Sequence, residues 1–133
     1  MKALKNFNFS LRFLNSNFNK NLKFFFSTNQ NVIDLSKPED FDNIISSSNI
    51  PVMVDFYADW CGPCKMLTPK LINKQQELKN FKLLKINVDN HQELAEKYDV
   101  QGIPHVLLFK NGQKVSEFVG INENGLKKML DLI

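Results

Sequence analysis

The 133-residue sequence has two cysteines, two histidines, one arginine and five each of glycine and proline, and these shortages limit what the chain can be. Cys61 and Cys64 occupy one four-residue window. That excludes a framework of disulfides stapling distant segments together. His91 and His105 lie far outside the His-x(3–5)-His spacing of a zinc site, which argues against a metal. No stretch approaches the ~18 consecutive apolar residues of a membrane span. No acid occurs before Asp34, whereas Lys2, Lys5, Arg12, Lys20 and Lys23 all precede it. The 100 residues from Asp34 onward hold 12 bases and 14 acids, net −2, so the overall charge of +3 belongs to the leader and gives little support to nucleic-acid binding. Sixteen lysines against one arginine, with seventeen asparagines, suggest an A+T-rich genome and say nothing of function.

The length, with 43% hydrophobic residues, suits one globular domain around a single core. A second catalytic domain has no room. Neither proline nor glycine occurs before Pro38, so the leader can be tested as a helix. At helical spacing Leu4, Phe7, Leu11, Leu14, Phe18, Leu22 and Phe25 fall within an arc of about 80°, with the five cations opposite. A basic amphipathic segment without acids matches a mitochondrial or chloroplast transit peptide, although such peptides are usually richer in arginine. A secretory signal needs a continuous apolar core, and asparagine and lysine interrupt this one repeatedly. The alternatives are a tail or a surface anchor. We read residues 1–30 as a presequence directing the chain to the mitochondrial matrix, or to a related organelle or plastid, and residues 31–133 as the domain.

From Asn31 onward strand-like and helix-like segments alternate, the pattern of a sheet covered by helices on its faces. Strands are predicted at 31–35, 51–58, 82–88, 104–110 and 113–119, and helices at 38–48, 62–79, 91–98 and 122–132. Asn111-Gly112 is a two-residue hairpin signal, which makes the last two strands antiparallel. Pro69 should bend the second helix.

The segment from Val54 to Lys65 runs off a buried strand straight into a helix. Disulfide exchange needs a thiolate, and Cys61 at a helix N-terminus meets free backbone N–H groups and the helix dipole, both of which favour negative charge. Cys64, one turn on, is within reach of Cys61 and would resolve a mixed disulfide. Gly62 permits the close approach, and Pro63 fits the first turn, where a missing N–H costs nothing. A structural bridge is the alternative, but so short a loop restricts the unfolded chain by only ~2 kcal/mol. Asp55 lies between Val54 and Phe56, where burial should raise its pKa and suit it to exchange a proton with Cys64 through a water. Lys85, in a neighbouring strand, is placed to pair with it. The plainer alternatives are an Asp55 bonded to backbone at a sheet edge and a solvated Lys85.

Trp-Cys-Gly-Pro-Cys-Lys at 60–65, Gly-Ile-Pro at 102–104, Phe-Lys-Asn-Gly at 109–112 and Val-Gly at 119–120 resemble the thioredoxin family over all of residues 31–133. The resemblance implies a three-layer α/β/α thioredoxin fold around a central mixed five-stranded sheet. It also implies a protein-disulfide reductase with no bound cofactor, recharged by a thioredoxin reductase that uses NADPH. A peroxiredoxin is a substrate the family suggests, and the domain is expected to be a monomer. The Gly-Pro interior resembles reducing members, whereas oxidising isomerases usually carry Gly-His. By the same resemblance the Ile103–Pro104 bond is cis and faces the sulfurs, and Trp60, Gly102 and Gly120 line a shallow substrate groove around them. Without it, Pro104 reads as a trans proline opening a strand and Trp60 as core. His105 stands where the family commonly has Thr, and Tyr57 where many members have Trp. Two rivals remain: a binding subunit that docks through the same groove, and an oxidase or isomerase.

Overall fold

The computed structural model of the chain describes residues 31–133. The presequence expectation falls on residues 1–30, outside the described residues. The elements are β1 (Val32–Asp34), α1 (Asp40–Ser47), β2 (Val52–Tyr57), α2 (Gly62–Leu78), β3 (Lys82–Asn87), α3 (Gln92–Lys97), β4 (His105–Lys110), β5 (Gln113–Val119) and α4 (Glu123–Asp131). Every expected element is present, with ends shifted by no more than two residues. The largest shift is at α1, where Lys37 and Pro38 form turn hydrogen bonds to Asp40 and Phe41 before the helix begins.

The strands form one sheet in the order β1-β3-β2-β4-β5. β3 is parallel to β1 and β2, while β4 is antiparallel to both β2 and β5. The β4–β5 hairpin turns through Asn111 and Gly112, both at positive φ (53° and 79°), the conformation that this dipeptide adopts readily. Strand alternation sends Val52, Val54 and Phe56 to one face, where Phe41, Ile45, Leu94 and Phe109 join them in a core under α1 and α3. Met53 points the other way, into a second core with Leu67, Leu71, Leu126 and Met129 from α2 and α4. The result is the three-layer α/β/α arrangement with a mixed five-stranded sheet.

This topology decides where the chemistry sits. Because β2 and β4 are antiparallel with Phe56 opposite His105, the end of β2 lies beside the start of β4. His105 is in turn opposite Val119, at the end of β5. The Cys61 segment, Pro104 and Gly120 therefore converge at one end of the sheet from three separate parts of the chain.

Candidate active site

Cys61 is the N-cap of α2, with extended backbone (φ −82°, ψ 112°), and its Sγ accepts the Cys64 N–H at 3.2 Å. A reduced sulfur there would face a free helix N–H and the positive end of the dipole, an arrangement that favours the thiolate. Pro63 occupies the first turn, and Gly62 has nothing within 4 Å of where a Cβ would be. Cys61 and Cys64 are joined by a disulfide with Cα atoms 5.3 Å apart. Both are buried, Cys61 at 4% exposure and Cys64 at 2%. In this oxidised state, then, Cys61 is scarcely more accessible than its partner.

The Ile103–Pro104 peptide is cis, and the Ile103 carbonyl lies 3.7 Å from Cys61 Sγ. A disulfide sulfur has no proton to donate across that gap, but the thiol of the reduced protein has one. β4 begins at His105 rather than Pro104, since proline brings no N–H to the ladder. The Pro104 carbonyl instead accepts the N–H of Gly120 at 2.7 Å, tying the cis-proline segment to the residue that follows β5. Gly120 sits at φ +75°, which suits glycine. Gly102 packs near Val119, whose Cγ1 would be 3.4 Å from an added Cβ. Trp60 is not core: it is 69% exposed, and its indole Nε1–H donates to Asp89 Oδ2 at 2.9 Å.

The sequence and fold that carry this site are similar to those of known proteins. The Thioredoxin family profile matches residues 31–132. The chain belongs to the thioredoxin family. A probable thioredoxin-2 of Caenorhabditis elegans is 45% identical over 97 residues, covering 72% of this chain and 67% of its own. A thioredoxin of Rickettsia typhi is 41% identical over 104 residues, covering 77% and 93%. Among solved structures, oxidised mitochondrial thioredoxin 3 of Saccharomyces cerevisiae superimposes with a TM-score of 0.69 at 34% identity, covering 75% of this chain and 94% of that one. This family member is thus a thiol–disulfide oxidoreductase whose redox centre is the Cys61–Cys64 pair. Among the described residues no group of three or more His, Cys, Asp or Glu could hold a metal, and no helix is long and apolar enough to cross a membrane.

Behind the sulfurs, Asp55 is fully buried on the central strand β2, on the face that α2 covers. It is neither at an edge nor bonded to backbone: Thr68 Oγ1 donates to its Oδ2 at 2.6 Å, and Oδ1 has no partner. Burial raises its pKa to about 6, opposed by the Thr68 hydrogen bond and, less, by the Lys85 charge. Lys85 is opposite Asp55 in register but does not hydrogen-bond to it. Its Nζ pairs with Asp34 Oδ1 at 3.0 Å and lies 5.2 Å from the Tyr57 ring centroid. Asp34 is the β1 residue in register with Lys85 and is largely exposed, so the ion pair of Lys85 is made with β1 and not with Asp55. Sequence reasoning missed Thr68 and Asp89. Thr68 had a signal, because it lies four residues after Cys64 and so shares its helix face; Asp89, 29 residues from Trp60, had none.

His105 is buried against Phe56 on the sheet's other face, with Nε2 2.8 Å from Glu117 Oε2. His91 is a buried helix cap whose Nε2 donates to the Leu35 carbonyl at 2.8 Å. Both histidines thus hold structure together.

Proposed function

We propose that Cys61 is the nucleophile and Cys64 the resolving thiol in the reduction of partner-protein disulfides. The observation that carries this order is the cap geometry, since Cys61 rather than Cys64 receives a helix N–H. In the cycle the Cys61 thiolate attacks a substrate disulfide, forming a mixed disulfide and releasing one substrate thiolate. Cys64 gives its proton through a water to the Asp55 carboxylate. The Cys64 sulfur then displaces the second substrate sulfur, leaving the Cys61–Cys64 bridge. Both released thiolates take protons from solvent, and the substrate has gained the two electrons lost by the dithiol. Lys85 moderates the cost of the Asp55 charge from a distance.

Trp60, Gly62, Pro63, Gly102, Ile103, Pro104 and Gly120 form the groove that receives the substrate segment. A thioredoxin reductase drawing on NADPH returns the bridge to the dithiol, and the domain acts as a monomer. We read the compartment as the mitochondrial matrix, with residues 1–30 as the address and residues 31–133 as the working domain. The basic, acid-free leader supports that reading, as does the likeness to yeast mitochondrial thioredoxin 3. A peroxiredoxin is a fitting substrate. A chain of 33% identity and TM-score 0.69, covering 75% of this one and 94% of itself, comes from work on the thiol resolving mechanism in yeast mitochondrial 1-Cys peroxiredoxin via glutathione/thioredoxin systems.

The test is Cys64→Ser, expected to trap substrates on Cys61 because the first exchange keeps its nucleophile and the second loses it. Captured proteins carrying reducible disulfides are the expected result. An empty trap with Cys61 still alkylatable would count against a general reductase. Cys61→Ser should abolish insulin reduction with the fold intact. Residues 1–30 fused to a fluorescent protein should enter mitochondria, and replacing Lys5, Arg12 and Lys23 with Glu should leave it in the cytosol.

A further inference from the structure

Asp55 has no access to solvent of its own, so something must connect it to the water with which it trades protons. An open cleft of about 310 Å³ lies beside it, lined by Cys64, Thr68 and Lys85 among others. Asp55 itself does not line that cleft. Thr68 does, and its hydroxyl also donates to Asp55 Oδ2 at 2.6 Å. The hydroxyl can give its proton to the carboxylate and accept one from solvent in the cleft at the same time. From α2 the cleft is lined by Cys64, Lys65, Thr68 and Pro69, so the helix brings to it one sulfur, one amine, one hydroxyl and one apolar ring. From the sheet, Lys85 faces the same region but is held by Asp34, and Tyr57 and Asp59 lie on the rim. β4 contributes the apolar Val106 opposite Asp55 and no charge. The hydrogen bond from Thr68 is the direct polar contact Asp55 makes.

We infer that Thr68 is a positioning residue for the resolving step: its hydroxyl holds Asp55 in the carboxylate form that accepts the Cys64 proton and so sets the acid limb of that step. The inference rests on the proton-acceptor role of Asp55 proposed above. A hydroxyl donating to a carboxylate favours the charged form, whereas a methyl in its place leaves burial less opposed. The direction agrees with the pull that Thr68 exerts on Asp55 against desolvation.

The experiment mixes reduced protein with Ellman's reagent in a stopped-flow instrument and follows the second release of thionitrobenzoate, which reports attack of Cys64 on the Cys61 mixed disulfide, as a function of pH. Thr68→Val keeps the shape and removes the donor, and its acid limb should move up by about one pH unit, with the second release about tenfold slower below the limb. Thr68→Ser should restore the wild-type profile, and Thr68→Ala should shift it in the same direction as valine. Carbon-13 titration of the Asp55 carboxyl should move by the same amount in each variant. A limb unmoved in folded Thr68→Val and Thr68→Ala, while Asp55→Asn abolishes it, would overturn the role of Thr68 alone. A limb unmoved in Asp55→Asn would instead remove the proton-acceptor reading on which the inference stands.

Discussion

At the scale of single residues, Asp55 is where stability gives way to chemistry. Its carboxyl titrates near 6 in the folded protein, raised by burial from 3.8. The folded state therefore binds more protons than the unfolded chain between those values, and the stability this group contributes is greatest below about pH 4 and falls as pH rises through 6. The difference amounts to about 3 kcal/mol once Asp55 is fully ionised. Oxidised Asp55→Asn should escape that loss. Denaturant unfolding from pH 4 to pH 8 should show the wild type falling relative to the variant by up to about 3 kcal/mol, and parallel curves would refute the assignment. The acid itself was legible in the sequence as a charged residue in an apolar strand. Its hydrogen-bond donor was not read, since Thr68 on the helix face after Cys64 carries no charge to attract notice.

At the scale of elements, alternation and turn chemistry were enough to read all nine segments, and the errors are confined to their ends. α2 illustrates why. It closes on Lys79 at φ 58°, a left-handed position where glycine is the usual signal, so nothing in the residue type marks the stop. Pro69 lies inside the same helix, which continues to Leu78. α4 presents the opposite case, a glycine whose purpose sequence alone could not reveal. The Asn122 side chain caps this helix by accepting the Gly125 N–H at 2.8 Å, and a Cβ on Gly125 would stand 2.8 Å from Phe118 Cβ on β5. Alanine in an open helix position gains about 1 kcal/mol over glycine. Here overpacking costs ~1–3 kcal/mol, because the obstacle is the root of a core side chain and not a flexible tip. Gly125→Ala should therefore lower stability by about 1 kcal/mol, measured by denaturant unfolding with the activity unchanged. A gain would mean that α4 can slide outward from the sheet freely.

At the scale of the whole molecule, the proposed groove belongs to no single element, and this is why composition and periodicity did not disclose it. Cys61, the Ile103–Pro104 segment and Gly120 are far apart in the sequence and meet because antiparallel pairing of β2, β4 and β5 brings their ends to one side. Only the family resemblance placed a cis proline there and took Trp60 out of the core. The groove also makes a prediction that separates docking from reactivity. Gly120 has nothing within 4 Å of where a Cβ would stand, so a side chain at that position projects into open space, with some strain from φ +75°. Gly120→Trp should slow reduction of a folded protein disulfide by about tenfold, equivalent to about 1.4 kcal/mol of lost docking energy. Alkylation of reduced Cys61 by iodoacetamide should stay within about twofold of wild type, because the small reagent needs the thiolate and not the groove. A parallel loss in both assays would indicate damage to the cap of α2 instead of blocked docking. Retention of both rates would move the docking surface away from the Pro104–Gly120 wall, since a tryptophan there could not be ignored by any partner seated on it.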